Sequence, residues 1–524
     1  MKKKKKSRLK KKLKKGPKKR KFKESYATEK GKISYKKLKL KAGLEIHQQL
    51  DTKHKLFCNC SAAFERKKIK TEVVRKQHPV ASELGEVDVA AQYELFRDRT
   101  FNYQVFSAET CLVELDEEPP HDINTEALRI AIEVALLLNC EIPGEIHVMR
   151  KTITDGSNTG AFQRTMVVGM NGWLKYGSKK IEITHVCLEE DAAAIVREEG
   201  NKVIYRLSRL GIPLVEISTG LLKNYTPDQV QEIAYLIGIV CRSTGKVKHG
   251  IGSIRQDVNV STRNGPRVEI KGVQELGLLS KVVEKEVDRQ MRLIESSKKV
   301  VHETRAANAD GTTRFTRPLP GAARMYPETD IVPISISQRW LKRVKSELPE
   351  PWTKKLIRFK QKLKLSNDLA IQIVSSEYLE LFEQIMKKHP RLNAIVVANV
   401  FTSTLKDLRR KRIDVGKLKE KNLMDIFDAL AKKKIVKEAI PDFIVYFVDK
   451  PDDSVAKVAE KLNLSILKKS ELRTIVSQLI KDSPDTPKEK LYGIAMSRVR
   501  GRANAQEVFK LVSSLAKRKS KKKK

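Results

Sequence analysis

Gly252-Ser-Ile-Arg-Gln-Asp-Val-Asn-Val-Ser-Thr-Arg-Asn-Gly-Pro-Arg-Val-Glu-Ile-Lys-Gly272 reads as two strands of a hairpin, each alternating apolar residues with residues able to hold a metal nucleotide. Arg255, Asp257 and Asn259 face one way, and Ile254, Val258 and Val260 the other. After the Asn264-Gly265 turn, Arg267, Glu269 and Lys271 alternate in the same fashion with Val268 and Ile270. The two polar rows share a face only if the connecting loop has an odd number of residues. About three or five, with Gly265 at positive φ, are expected, because a two-residue turn would set Lys271 opposite Val258. One face of this sheet is greasy, and the other carries carboxylates and cations.

For a single hairpin, an antiparallel sheet with one side in water gives the same pattern. Here the pattern recurs. In Lys36 to Leu50, Leu38, Leu40, Leu44 and Ile46 fall on one side while Glu45 and His47 project together from the other. A third strand, Lys180 to Asp191, carries the two adjacent carboxylates Glu189 and Glu190, and Glu216 lies in a fourth, Ile212 to Ser218. Carboxylates gathered in one cleft repel and raise one another's pKa unless cations sit between them, so the economical reading is Mg²⁺ with a polyphosphate. A face bearing Glu, His, Asp, Asn, Arg and Lys points to phosphoryl transfer.

Composition sets the outer limits. A chain of 524 residues, 40% of them hydrophobic, can build several cores. No apolar run approaches the roughly 18 residues of a membrane span, so no membrane partner is expected. Lys+Arg 106 against Asp+Glu 64 gives a net charge of +42, which no small-substrate enzyme requires and which points to a polyanion. The Lys-rich arm 1–31 and the basic tail 517–524 cannot bury apolar area and are expected to lack fixed structure. They read either as arms for RNA phosphate, with steep salt dependence, or as a solubility or nuclear-type signal. The arm lacks the apolar stretch of a secretory signal and the Arg/Ser balance of a transit peptide. Six cysteines are few for this length and fit a reducing, cytoplasmic compartment. Cys111, Cys140, Cys187 and Cys241 read as reduced core residues, whereas Cys58-Asn-Cys60 leaves open a structural zinc with His54 or His78 or two unligated thiols.

Residues 32–335 read as strands with a few helices, namely Thr125 to Asn139, Pro227 to Thr244 and Leu276 to Ser296. Thr226 is the expected N-cap of the second, with Pro227 at its first position. The loop Lys151-Thr-Ile-Thr-Asp-Gly-Ser-Asn-Thr-Gly-Ala-Phe-Gln163 is either an ordinary turn or a backbone cradle for phosphate, with Lys151 and Ser157 as its nucleotide-binding candidates. Arg317 to Asp330 is a Pro-rich excursion in which Arg324, Glu328 and Asp330 matter only if they reach the site. Short helices occupy 336–413, and a further all-helical unit spans 414–516, with N-cap-like starts at Asp452-Asp-Ser and Ser470-Glu-Leu. In its last part Arg498, Arg500 and Arg502 crowd a Gly-containing turn before a helix near Asn504, either an RNA-backbone contact or a solvated loop.

Several longer motifs carry a resemblance. Gly43-Leu-Glu-Ile-His-Gln-Gln-Leu-Asp-Thr52, Leu56-Phe-Cys-Asn-Cys60, Pro79-Val-Ala-Ser-Glu-Leu-Gly-Glu86, Lys151 to Thr159, Leu188-Glu-Glu-Asp-Ala192, Arg209-Leu-Gly-Ile-Pro-Leu-Val-Glu-Ile217 and Met325-Tyr-Pro-Glu-Thr-Asp-Ile331 together resemble the GatB/GatE family of glutamyl-tRNA(Gln) amidotransferases. The Gln-Gln-Leu-Asp-Thr and Asp-Gly-Ser-Asn-Thr segments favour the archaeal GatE branch, and the likeness runs from about residue 36 to the C-terminus. It implies an α+β chain: a cradle-shaped catalytic domain with an antiparallel sheet, related to glutamine synthetase and the guanido kinases, then all-α helical and tail domains that hold tRNA. It also implies ATP- and Mg²⁺-dependent phosphorylation of the γ-carboxylate of a glutamate mis-attached to tRNA(Gln). Ammonia from an asparaginase-like amidohydrolase partner (GatD-type), in a heterotetramer, would then displace phosphate. By resemblance Glu45, His47, Glu190 and Glu216 are metal ligands or lie next to them, while Asp257, Glu269, Arg255 and Lys271 extend the same face toward metal and phosphate. Two other readings remain: a GatB-like transamidase also acting on aspartyl-tRNA(Asn), and a non-catalytic tRNA-binding or assembly protein.

Two departures stand out. Typical GatE relatives carry an inserted domain, resembling one in bacterial aspartyl-tRNA synthetases, between the helix near Ile294 and the segment Glu303 to Thr312, a gap that here holds only about eight residues. The Lys-rich arm is also foreign to the family pattern and is expected to compensate in part by raising non-specific tRNA affinity. Deleting residues 1–31 should therefore raise the apparent KM for tRNA and flatten its salt dependence; unchanged values for both would exclude that role.

Overall fold

The register of the opening hairpin shows how the sheet is built. Val258 pairs with Ile270, Asn259 with Glu269 and Val260 with Val268, so seven residues separate the last pair. The parity is odd, as two polar rows on one face require, but the loop is longer than three or five. Gly265 does not take the positive φ expected of a tight turn; Gly272 does, at 78°, where the register shifts opposite Asp257. The longer loop spreads the reversal over more residues, and the strain of the bulge falls on Gly272 instead.

The computed structural model describes residues 34–522 apart from 64–68, 80–84, 108, 251, 264, 297, 322–324 and 484–485, with backbone alone at 516–522. Residues 1–31 and Arg324 lie outside the described residues. In chain order the first part of the chain comprises β1 (Lys41–Gln49), β2 (Ile69–Arg75), α1 (Val89–Phe96), β3 (Thr100–Phe106), α2 (Thr125–Leu137), β4 (Glu145–Ile146), β5 (Met149–Thr152), β6 (Phe162–Tyr176), β7 (Lys179–Glu190), β8 (Ala194–Glu199), β9 (Lys202–Arg206), β10 (Pro213–Thr219) and β11 (Leu222–Lys223). It continues with α3 (Pro227–Ser243), β12 (Ile254–Ser261), β13 (Val268–Val273), α4 (Leu276–Glu295), β14 (Glu303–Ala307), β15 (Thr313–Pro318), β16 (Met325–Pro327), β17 (Ile334–Ser335) and α5 (Gln338–Ser346).

Among the described residues eleven strands form one sheet in the order β15-β14-β13-β12-β1-β10-β7-β6-β5-β16, with β11 added beside β1. Every pairing in it is antiparallel except β13 with β14. Alternation sends Leu44, Ile46, Val186, Leu188, Val215, Ile217, Val258, Val260, Val268 and Ile270 to one face, where each is at most 1% exposed. Burying such a side chain is worth roughly 1.5–3 kcal/mol, so this face drives the sheet's formation. Helices α2, α3 and α4 cover it, α3 against β1, α4 against β12, and α2 against β6 and β7. Their apolar residues recur at helical spacing, as in Leu279, Val282, Val283, Val287 and Met291 of α4. Thr226 caps α3 as expected, in a capping box with Gln229 and with Pro227 at the start. The opposite sheet face is left for polar groups.

A second sheet, β2-β3-β9-β8, builds its own core on Phe101, Tyr103, Val105 and Tyr205. The Tyr103 hydroxyl donates to the Gly156 carbonyl at 2.8 Å and that of Tyr205 to the Asp155 carbonyl at 2.9 Å, which fixes the loop after β5.

The chain divides into two compact units at Pro351/Trp352. The second unit is helical throughout the described residues: α6 (Trp352–Gln361), α7 (Asn367–Val374), α8 (Leu379–Lys388), α9 (Ala394–Asn399), α10 (Leu405–Arg410), α11 (Glu420–Ala431), α12 (Ile440–Asp449), α13 (Val455–Lys461), α14 (Lys469–Asp482), α15 (Lys488–Arg498) and α16 (Ala505–Lys522). Ser454 caps α13, as its sequence pattern indicated. Ser470 does not cap α14, which begins at Lys469 after Lys468, where the Glu471 carboxylate reaches back to the Lys468 amide. Helix α16 continues to Lys522, into the tail expected to lack fixed structure, because helical propensity carries a well-packed helix into a Lys run. The mixed α+β class thus holds, with an antiparallel-dominated sheet unit followed by a helical one.

The packing of α2 against β6 is tight enough to test. A Cβ added at Gly172 would come 2.8 Å from the Leu138 carbonyl oxygen and press on Cys140 Sγ, with backbone on one side unable to yield. Gly172→Ala is expected to destabilise the sheet unit by about 1–3 kcal/mol, read as a lower denaturation midpoint; an unchanged midpoint would show the contact to be soft.

Candidate active site

Strand register assembles the polar face. His47 of β1 lies opposite Glu216 of β10 on one side and Arg255 of β12 on the other, and Glu216 in turn faces Cys187 of β7. One step along, Glu45 faces Asp257, and beyond that Asn259 faces Glu269 of β13. Directly opposed residues share a face, so these side chains form one continuous array. The array floors a cleft of about 760 Å³, whose rim includes Lys151, Gln163, Glu189, Asp191, Lys271 and Arg317. A smaller cavity of about 270 Å³ continues from it over Gly43, sharing Glu45, His185 and Ser218.

Two groups of metal-capable side chains lie in the cleft. In the inner group His47, Glu189 and Glu216 bring their ligand atoms within 4.8 Å of one another, as do His185, Cys187 and Glu216. His47 Nε2 is 3.2 Å from one Glu216 oxygen and His185 Nε2 3.8 Å from the other. Lys151 Nζ stands 2.9 Å from Glu189 and 3.8 Å from Glu216. In the outer group Glu45, Asp257 and Glu269 also converge within 4.8 Å, with Lys271 Nζ 3.1 Å from Glu269 and 3.4 Å from Asp257. Asn259 donates to Glu45 at 3.0 Å, and the Thr304 hydroxyl donates to Glu269 at 2.9 Å.

The electrostatics of the two groups differ. Burial and the neighbouring Glu216 and Glu269 carboxylates push the Glu45 carboxyl up from its ordinary value. Burial alone would also raise Glu216, but Lys151 and hydrogen bonds from His185 and His47 outweigh it and hold that carboxyl well below the usual range. Glu269 is likewise held down, against burial, by Lys271. Burial disfavours a charged His47, yet the Glu216 carboxylate beside it raises its pKa overall. Glu45 is therefore disfavoured as an anion, first by burial and then by its carboxylate neighbours. A dication among the three carboxylate oxygens of the outer group would offset both, and hard oxygen donors are what Mg²⁺ takes.

The array brings together Glu45, His47, Glu216, Asp257, Glu269, Arg255, Lys271 and Lys151. It does not bring in Glu190. That carboxylate is turned away onto the Arg164 amide at 3.3 Å and guanidinium at 3.5 Å, and among the described residues it belongs to no cluster of candidate ligands. Glu189 projects in its place, two residues from Cys187, because the inward pair Val186 and Leu188 fixes which neighbours face the cleft. The same alternation was readable in the sequence. Ser157 also lies off the cleft lining: its amide and hydroxyl donate to Asp155 within its own turn. Glu328 is buried behind the site between Arg150 and Arg164. Asp191, unassigned from sequence, buttresses Arg255 at 2.8 Å while accepting from Gln49 at 2.6 Å. Arg317 reaches the cleft from β15 and pairs with Asp155 at 3.3 Å, so it joins the sheet edge to the loop after β5.

Two further placements concern sulfur and arginine. Cys58 and Cys60 gather with Cys111 and Glu114, all four donor atoms within 4.8 Å, whereas His54 is engaged with the Asn59 carbonyl. Cys111 and Cys187 are thus not the isolated core thiols expected, because chain reversal and strand parity, invisible in spacing, decide where each points. Three sulfurs and one carboxylate oxygen would suit a tetrahedral thiophilic cation. In the helical unit Arg498 and Arg500 are exposed and Arg502 half-buried around Gly501, whose φ is 71°, with Asn504 capping α16 through the Gln506 amide.

The opposite pKa directions of Glu45 and Glu216 give a signed test on metal-free protein. A depressed carboxyl such as Glu216 contributes stability that is full above its ordinary pKa of 4.5 and is lost as pH falls through its folded value. A raised one such as Glu45 costs stability that appears as pH climbs above 4.5. Glu216→Gln should narrow the difference in stability between pH 7 and about pH 3, and Glu45→Gln should widen it. Denaturant midpoints moving in the same direction for both would contradict this charge balance.

A family model described as GatB/GatE catalytic domain matches residues 40–342, and a second, described as GatB domain, matches residues 380–515. The chain is 36% identical to the E subunit of glutamyl-tRNA(Gln) amidotransferase from Methanocaldococcus jannaschii, with 93% of this chain and 99% of that protein aligned. It is 34% identical to the protein of the same name from Methanococcus maripaludis, covering 90% and 96%, and 34% identical to that of Aeropyrum pernix, covering 92% and 98%. The first alignment runs over 628 positions but takes in only about 487 residues of this chain, 93% of 524, so about 140 positions of the relative have no counterpart. That fits the direct passage from α4 at Glu295 to β14 at Glu303, where GatE relatives are expected to carry an inserted domain. Matched over most of its length by both models and relatives, the chain belongs to the GatB/GatE family, as a GatE form without the insertion.

Proposed function

We propose that this chain is the transamidase subunit of a glutamyl-tRNA(Gln) amidotransferase, a carbon-nitrogen ligase that activates glutamate mis-attached to tRNA(Gln) with ATP and then amidates it. The single observation carrying this reading is the convergence of two carboxylate groups, each with its own lysine, on one sheet face in a member of this family. A carboxylate is a poor electrophile. Transfer of the ATP γ-phosphoryl group to the glutamyl γ-carboxylate, with departure of ADP, gives an acyl phosphate; ammonia then attacks the carbonyl carbon, phosphate leaves, and a proton passes to solvent.

On this reading Glu45, Asp257 and Glu269 would hold Mg²⁺, which when bound supplies charge neutralisation and polarises phosphoryl oxygens. His47, Glu189 and Glu216 make a second cation position. Lys271, Lys151 and Arg255 are the cations that meet phosphate, and Asp191 keeps Arg255 aimed into the cleft. The buried apolar face and its three helices make the array rigid, so charge stabilisation costs little reorganisation during the reaction. The sheet unit would be the cradle domain akin to glutamine synthetase and the guanido kinases. Residues 414–516, with Arg498, Arg500 and Arg502, would contribute to holding tRNA. An asparaginase-like amidohydrolase in a heterotetramer would supply ammonia, in the cytoplasm. Among the described residues no helix is long and apolar enough to cross a membrane.

Purified chain incubated with glutamyl-tRNA(Gln), ATP, Mg²⁺ and ammonium chloride should form glutaminyl-tRNA(Gln) without a partner. Glu189→Gln should lower kcat by about 10²–10³, the cost of removing one charge-positioning group from an active site. Glu190→Gln should lower kcat far less, since that side chain meets Arg164 behind the cleft. Equal loss in the two variants would refute the assignment of Glu189. Tight tRNA binding with no product, with ammonia or with the amidohydrolase partner, would favour a non-catalytic binding protein.

A further inference from the structure

The row of directly opposed residues that carries Asn259 and Glu269 runs on toward one end of the sheet. Glu269 of β13 pairs with Thr304 of β14, and Thr304 pairs with Arg317 of β15, so register brings Arg317 onto the polar face. There its side chain lines the cleft and is 14% exposed. A guanidinium carries five donors in a planar fork. Among the described residues that of Arg317 makes one hydrogen bond, to a single Asp155 oxygen at 3.3 Å. The other Asp155 oxygen accepts from the Ser157 amide at 3.0 Å and from its hydroxyl at 2.6 Å. Arg150, behind the cleft, is held quite differently and grips both oxygens of Glu328 at 2.6 and 2.7 Å. Burial opposes the Glu269 carboxylate, and Lys271, Thr304 and Arg317 together hold it below the ordinary value, so Arg317 and Lys271 stand near enough to meet one polyanion.

We propose that Arg317 is a further nucleotide-binding residue of the cleft, which exchanges Asp155 for the polyphosphate of the nucleotide, and that Asp155 holds the guanidinium in reserve by competing for it. The inference deepens the proposed function and rests on it. A one-point ion pair between partly exposed groups is worth little. Two parallel N–H···O bonds from a guanidinium to phosphate match its planar fork and are among the stronger hydrogen bonds that proteins make. The exchange therefore runs downhill when a polyphosphate enters beside Lys271, and Asp155 keeps the guanidinium paired when none is there. The Tyr205 hydroxyl donates to the Asp155 carbonyl at 2.9 Å, so the loop stays in place while Arg317 changes partner.

Titration calorimetry of ATP with Mg²⁺ into the full chain, without tRNA, reads the exchange through a double-mutant cycle. Arg317→Ala should weaken binding about 10–100-fold, the cost of losing a charge-assisted pair. Asp155→Asn keeps an oxygen for Ser157 but removes the competing charge, and should tighten binding about 2–5-fold. In the double variant that gain should vanish, leaving the affinity of Arg317→Ala. An ion pair that merely props the loop predicts instead that both single variants weaken binding, and a general charge effect predicts that Asp155→Asn tightens it equally with and without Arg317; either result would overturn the proposal. If Arg317→Ala does not fold, Asp155→Asn and Arg317→Lys decide: tightening in the first and weakening in the second are expected, and no tightening in the first refutes the exchange. Filter binding of glutamyl-tRNA(Gln) without nucleotide separates the other source of phosphate. Arg317→Ala should leave that affinity unchanged, and a loss there with ATP binding intact would assign the guanidinium to RNA phosphate and sink the nucleotide assignment. A wild-type chain that fails to bind ATP would remove the proposed function and this inference together, whereas ATP binding and amidation with no effect of either substitution on affinity would remove this inference alone.

Discussion

The pairing of β1 with β10, which sets His47 against Glu216, is the constraint on which the rest of the site depends. Both strands are central, and each is flanked on its far side by another long antiparallel partner, so neither can slip by one residue without sending its apolar set into water. Leu44, Ile46, Val215 and Ile217 enforce the register from below, and His47, Glu216 and Glu45 inherit their positions from it. The chemistry of the upper face is positioned by the hydrophobic energy of the lower one.

Charge then decides what the face can do. Glu45, Glu189, Glu216, Asp257 and Glu269 would repel one another if alone, and the chain answers with Lys151, Lys271 and Arg255. The compensation is uneven. Glu216 and Glu269 are held down by the ammoniums beside them, whereas burial and like charges push Glu45 up. A surface of this kind is costly as a mere structural feature, since a burial that leaves carboxylates short of cations weakens the fold. It is intelligible as a receptor for dications and phosphate, whose charges of opposite sign complete it.

How far the sequence could be read varies residue by residue. Glu45, His47, Glu216, Asp257 and Glu269 were legible because each sits at an odd step within an apolar alternation that a sheet must respect. Glu189 and Glu190 are adjacent, and the choice between them turned on the parity set by Val186 and Leu188, a signal that was present but outweighed by motif resemblance. Asp191 and Arg317 carried no local signal. Asp191 becomes significant only because Arg255 and Gln49 arrive from other strands, and Arg317 because β15 at one end of the sheet meets the loop that follows β5 near the other. Cys111 and Glu114 were silent for the same reason: a ligand cluster closed by chain reversal has no fixed spacing to recognise.

The sequence by itself determined the alternation of apolar and polar residues, the helices that cover the apolar face, the helical character of the second unit and the family. These follow from period-two and period-3.6 patterns and from long motifs, all properties of neighbours along the chain. Tertiary structure alone decided which cations meet which anions, and that Cys187 joins His185 and Glu216. Those choices depend on register between strands far apart in sequence, and register is an energy of packing and hydrogen bonding across space that no local pattern encodes.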